Sequence, residues 1–134
     1  MKSVKDLKVY KLAFQISLDV YKLTERFPRD EQFGLSSQMR RAAVSICSNL
    51  AEGCSRGTTK EYLHFAYIAK GSASELSCQV DLSAASGFIK EPSAMKLKDD
   101  IDEVLKMLSG LVNKLNTGTS KLTTNTNPLT LVIQ

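Results

Sequence analysis

The stretch Thr58–Gly87, "TTKEYLHFAYIAKGSASELSCQVDLSAASG", carries the most regular apolar pattern in the chain. Tyr62, Ala66, Ala69, Ala73, Leu76, Val80, Ser83 and Gly87 recur at alternating intervals of four and three, which places them on one face of a helix. Thr58 followed three residues later by Glu61 is a capping-box pattern, so the helix is predicted to start there. Most side chains of this seam are small, and small seams let neighbouring helices approach closely.

Three further helices are predicted around it. The first runs from Asp6 to Phe27 and stops at Pro28, which cannot continue a helix. Its row Val9, Ala13, Ile16, Val20, Leu23, Phe27 has the 4,3,4,3,4 spacing of a bundle seam. A second row, Leu7, Tyr10, Phe14, Ser17, Tyr21, widens the apolar arc to about half the circumference, more than one bundle seam demands. The second helix opens after Pro28 with Asp30 as its N-cap and reaches the Gly53 to Gly57 region, with Leu35, Met39, Ala42, Ala43, Ile46, Cys47 and Leu50 facing inward. "GFIKEP" supplies a glycine stop and a proline start, and Leu97, Ile101, Val104, Leu108, Leu111 and Leu115 form the seam of the fourth helix. Short connections make neighbours antiparallel, so the expected fold is all-α, an up-down-up-down four-helix bundle over residues 1–115. Residues 116–134, rich in Thr and Asn with one charged residue, are expected to be a mobile polar tail.

A chain of 134 residues is one domain, large enough to bury a core without metals or disulfides. No apolar run reaches the roughly 18 residues of a spanning helix, and "MKSVKDLKVYK" lacks the apolar core of a signal peptide. No membrane association is expected, and the cytoplasm is the default compartment. Cys47, Cys54 and Cys78 have no framework or Cys-x-x-Cys spacing, and with His64 as the single histidine neither a metal site nor a disulfide is expected. The net charge of +4 is uneven: residues 1–60 hold eleven Lys and Arg against six Asp and Glu, whereas 61–134 hold seven against eight. That basic bias is compatible with an acidic partner such as nucleic acid.

The second helix carries a polar row, Arg41, Ser45, Asn49 and Glu52, extended by Gln38 and Arg56. It reads as a polar interface or buried network, as a solvated face, or as a ligand site. Ser and Asn are weak helix formers, so their mid-helix placement favours hydrogen bonds to a neighbour such as Ser72, Ser74 or Glu75. Nucleophilic catalysis needs Cys or Ser beside a base, and His64 sits on the polar side of its helix. "EGCSRG" lacks the strand and lysine of a phosphate loop, and Asp99, Asp100, Asp102 and Glu103 read as a solvated face. No catalytic residue and no cofactor is expected.

The words "DLKVYKLAFQISLDVYKLTERFP", "GLSSQMRRAAVSICSNLAEG" and "KEYLHFAYIAKGSASEL" together resemble the family of proteins encoded within intervening sequences of bacterial 23S rRNA genes, also labelled S23 ribosomal protein. Tyr10 stands where that family often has Trp. The resemblance implies a four-helix bundle assembled as a homopentamer, without an established enzymatic activity. A more distant similarity, to the accessory protein of diversity-generating retroelements, suggests a nucleic-acid role. On this reading the chain is a non-enzymatic oligomeric accessory of RNA or DNA, with a protein-interaction scaffold as the alternative. Arg40, Arg41, Arg56 and Lys60, with Lys8, Lys11, Lys22 and Arg26 of the first helix, are the candidate phosphate contacts. Arg41, Ser45, Asn49, Glu52, Ser72 and Glu75 are the candidate polar interface, and Tyr10, Phe14 and Tyr21 the candidate subunit contact.

Overall fold

A computed structural model describes residues 3–121. Four helices, α1 (Lys8–Thr24), α2 (Leu35–Ser55), α3 (Thr59–Ala85) and α4 (Glu91–Lys121), pack against one another, and there is no strand among the described residues. Side-chain contacts run in opposite order along successive helices. Ser17 meets Cys47 while Thr24 meets Arg40, and Met39 meets Ser83 while Ser45 meets Ser72. Lys98 reaches Asp81 and Asn116 reaches Tyr67. Neighbours are therefore antiparallel. Both α1 and α3 pack on α2 and α4, which leaves α1 and α3 diagonal to each other.

The seams form the core. Ala13, Ile16, Val20, Met39, Ile46, Leu50, Tyr62, Leu76, Val80, Ile101, Val104 and Leu108 are all fully buried. Ala43, Ala66, Ala69 and Ala73 are also fully buried and set the close packing of α3 against its neighbours. Lys96 ties α4 to α1 through Asp19 at 3.8 Å, and binds Asp100 at 2.9 Å; these carboxylates hold its ammonium pKa above the ordinary lysine value.

Helix ends depart from the sequence expectation in instructive ways. Instead of Asp6, α1 begins at Lys8, because Ser3 and Asp6 close a capping box on a separate 3-10 turn over Val4–Asp6 and Leu7 is extended. It ends at Thr24, short of the expected Phe27. The chain before Pro28 tightens into i→i+3 bonds from Arg26 to Leu23 and from Phe27 to Thr24, as a proline disfavours helix in the residue before it. Asp30 is not the N-cap of α2. Arg29–Glu31 form their own 3-10 turn, and Gly34 precedes the helix, with the Glu31 carboxylate accepting from Leu35 N–H at 3.0 Å.

The Thr58 cap forms as expected, its hydroxyl accepting from Glu61 N–H at 3.2 Å. Gly87 is not part of the α3 seam. It adopts φ +79° just beyond the helix, and Phe88 N–H bonds back to Ser83 C=O at 2.9 Å, a glycine stop that turns the chain into α4. Helix α4 continues past Leu115 to Lys121, six residues into the segment expected to be tail. The remainder of that expected tail, 122–134, lies outside the described residues.

Candidate functional site

The polar row of α2 divides into parts with different roles. Ser45 and Asn49 are half-buried against α3. Ser45 Oγ lies 2.7 Å from Ser72 Oγ, and Asn49 Nδ2 donates to Ser45 C=O at 2.8 Å and to Ser45 Oγ at 3.0 Å. The Ser45–Ser72 bond joins α2 to α3, and with the two bonds of Asn49 inside α2 it offsets the poor helix propensity of Ser and Asn. Glu75 stays outside the network and accepts instead from Gln79 Nε2 at 3.2 Å. At the ends of the row Gln38, Arg41 and Glu52 are exposed. Glu52 forms an i,i+4 ion pair with Arg56, whose guanidinium also lies 5.2 Å from the Phe65 ring centroid.

Along this row, the outward side of α2, the turn residues Gln32 and Phe33 before it, and Tyr21 of α1 line an open groove of about 680 Å³. Tyr21, Phe33 and Val44 supply its apolar surface, Arg40 and Arg41 its charge, and Ser37, Ser48 and Asn49 its hydrogen-bonding groups. No Asp or Glu lines it. Phe33 is 91% exposed, the most exposed large hydrophobic side chain among the described residues. The two arginines differ in what holds them. Arg40 Nε donates to Thr24 Oγ1 at 2.8 Å, and its guanidinium carbon lies 4.6 Å from the Tyr21 ring centroid. It also reaches the Tyr21 carbonyl at 3.4 Å, placing a cation at the C-terminal end of α1, where the helix dipole favours it. Arg41 is exposed in the groove.

The eight cations singled out from sequence do not form one stripe. Lys8 and Lys11 begin α1 at the end of the bundle that also holds Arg56, just after α2, and Lys60 in the first turn of α3. Lys22, Arg26, Arg40 and Arg41 lie toward the opposite end. Among the three aromatic candidates, Tyr10 is half-buried with its ring 6.2 Å from that of Phe14; Phe14 is half exposed, and Tyr21 is held by Arg40.

Among the described residues no group of three or more His, Cys, Asp or Glu is arranged to hold a metal. Cys47 and Cys54 are half-buried, and burial pushes both thiols above their ordinary pKa, whereas Cys78 is exposed. Tyr62 is fully buried beside Cys54, and desolvation raises its phenol far above the ordinary range. No well-formed hydrogen bond to its hydroxyl is present among the described residues. His64 is exposed, its ring edge-on to Phe65 at 5.2 Å.

Phe33, Val44, Ser37 and Ser48 carry much of the groove and were not singled out by sequence reasoning. Phe33 belongs to neither seam and sits in the turn between Arg29–Glu31 and α2, so periodicity is silent about it; its neighbour Gly34, a turn residue just ahead of an apolar helix, is the one local signal. No helix among the described residues is long and apolar enough to cross a membrane.

A comparison with curated proteins finds no match. Among solved structures, the chain is similar to a protein of unknown function from the S23 ribosomal protein family of Bacteroides thetaiotaomicron. The TM-score is 0.73 at 19% identity, over 78% of this chain and 97% of that one, a likeness of fold. The family model described as 23S rRNA-intervening sequence protein matches residues 5–110. With that match spanning all four helices, the chain belongs to the family of 23S rRNA-intervening sequence proteins.

Proposed function

We propose that this protein is a non-enzymatic, self-associating bundle that serves as a nucleic-acid-binding accessory. The observation that carries the reading is the groove on α2, which presents two arginines and hydrogen-bonding side chains with no carboxylate in its lining. Such a surface suits a polyanion, since phosphates are met by Arg and by hydroxyl and amide donors. The net charge of +4, concentrated in the first 60 residues, adds a favourable long-range field.

Self-association is supported by apolar side chains left outside on diagonal helices. Phe14 and Leu18 are about half exposed on α1, as is Leu82 on α3, with Ile68 somewhat less exposed. Two separate apolar faces on one protomer suit head-to-tail contacts that close into a ring. A homopentamer is the assembly the family resemblance implies. The same exposed side chains favour a second reading, a protein-interaction scaffold whose partner is another polypeptide.

The salt dependence of binding separates the two. Retention of a mixed short RNA and DNA pool that falls steeply between 50 and 200 mM salt, with a log-log slope of about −2 or steeper, supports phosphate contacts. Absence of retention at low salt overturns the nucleic-acid reading and leaves the scaffold.

A further inference from the structure

Resting on that reading, we infer that the α2 groove binds single-stranded rather than duplex nucleic acid, with an unpaired base stacked on Phe33 and the adjoining phosphate on Arg41. Phe33 sits in a turn whose backbone is hydrogen-bonded on both sides. Gly34 N–H bonds to Glu31 C=O at 3.1 Å, Glu31 Oε2 accepts from Leu35 N–H, and Gln38 N–H bonds to Gly34 C=O at 3.0 Å. The backbone on both sides of Phe33 is pinned, so the ring is presented by a fixed turn. A Cβ at Gly34 would stand 2.8 Å from Glu31 Oε2, so glycine at this position is what admits the carboxylate to the α2 terminus. The Glu31 carboxylate is thereby engaged with the backbone and does not line the groove.

An exposed aromatic ring beside cations and hydroxyls is the surface that single strands use, because only unpaired bases expose a face to stack. Tyr21 offers a second ring, with the Arg40 guanidinium over one of its faces, and Arg41 is the exposed cation of the same groove. Past Arg40 and Gln32 a smaller cleft of about 240 Å³ continues the path, with Arg29 along it and Glu25 as its one carboxylate. A paired helix would offer phosphates to Arg41 but no free base to Phe33. An acidic polypeptide could satisfy the arginines, yet it would leave the exposed Phe33 ring without a planar partner.

Fluorescence anisotropy with a labelled 12-nucleotide mixed-sequence strand, as RNA and as DNA, and with the same strands annealed to their complements, tests this at low salt. Alongside it run Phe33→Ala, Phe33→Leu and Arg41→Gln, each checked for mass by light scattering. The expected result is single-strand binding at least ten-fold tighter than duplex. Both Phe33 variants should then lose roughly ten-fold in single-strand affinity, since leucine keeps apolar area but has no π-face. Arg41→Gln should flatten the salt slope by about one. Equal binding of strand and duplex with unaltered Phe33 variants overturns the stacking site while leaving nucleic-acid binding in place. Full affinity in Phe33→Leu with loss in Phe33→Ala assigns an apolar contact and overturns stacking. Loss of assembly in Phe33→Ala with RNA affinity intact means a second copy covers the groove, which also overturns it. No binding of any strand overturns this inference and the reading beneath it together.

Discussion

A Cβ placed on Gly53 would stand 2.9 Å from Cδ1 of Tyr62 and 3.1 Å from Cβ of Phe65. Both neighbours belong to α3; Tyr62 is fully buried and the Phe65 Cβ is fixed to the helix backbone, so neither can swing away. In most helices Gly→Ala is stabilising by up to about 1 kcal/mol. Here the sign reverses: Gly53→Ala should destabilise by about 1–3 kcal/mol through overpacking at the α2–α3 turn. Urea denaturation of the two proteins checks it, and a gain in midpoint would show that the turn can open without loss.

The Ser45–Ser72 bond predicts an order of effects. Ser72→Ala leaves Ser45 with Asn49 as partner and should cost about 0.5–1 kcal/mol. Ser45→Ala removes one of the two acceptors of Asn49, leaving the Ser45 carbonyl, and strands the buried Ser72 hydroxyl, and should cost more, about 1–3 kcal/mol. The double variant should cost less than the sum. Chemical denaturation of the three variants reads the coupling directly.

Arg40 and Arg41 are adjacent in sequence and should behave oppositely. Arg40→Lys loses the planar contact with Tyr21 and the Nε bond to Thr24, so it should lower stability by about 1–2 kcal/mol. Arg41→Gln should stay within about 0.5 kcal/mol of the parent, because an exposed side chain away from special features contributes little. Thermal melts distinguish the pair.

Alkaline pH should weaken the fold. The native chain holds the Tyr62 proton, and those of Cys47 and Cys54, more tightly than the unfolded chain does. Stability from these groups is therefore complete below the ordinary thiol and phenol values of 9.0 and 10.0 and falls as pH rises above them. Tyr62→Phe should be near neutral in stability at pH 7, where its hydroxyl has no well-formed bond to lose, and should lose less stability between pH 9 and 11. Melting temperature against pH for the two proteins is the measurement.

Much of the bundle was legible because helix seams are repetitive. Ile16, Leu50, Ala69 and Leu108 fall on 4,3 rows and are all buried. The ends were less legible, since caps depend on contacts between elements: Glu31 displaces Asp30 at the start of α2 through a carboxylate that reaches forward four residues. Ser45 and Asn49 were flagged by their poor helix propensity, and the structure places Ser72 against Ser45. The groove was only partly visible. Arg40 and Arg41 look alike in sequence, and it takes the position of Thr24 and Tyr21 to tell a helix-end clamp from an exposed charge. Phe33 follows no period, so nothing short of the folded turn reveals that it faces outward.

Light-scattering mass of the purified protein, with and without a short single-stranded RNA at low and at moderate salt, reads self-association and RNA binding in one experiment. The expected species is an oligomer, a pentamer by the family resemblance, whose mass rises with RNA at low salt and returns to that of protein alone at moderate salt. A monomer, or an oligomer whose mass ignores RNA at low salt, would contradict it.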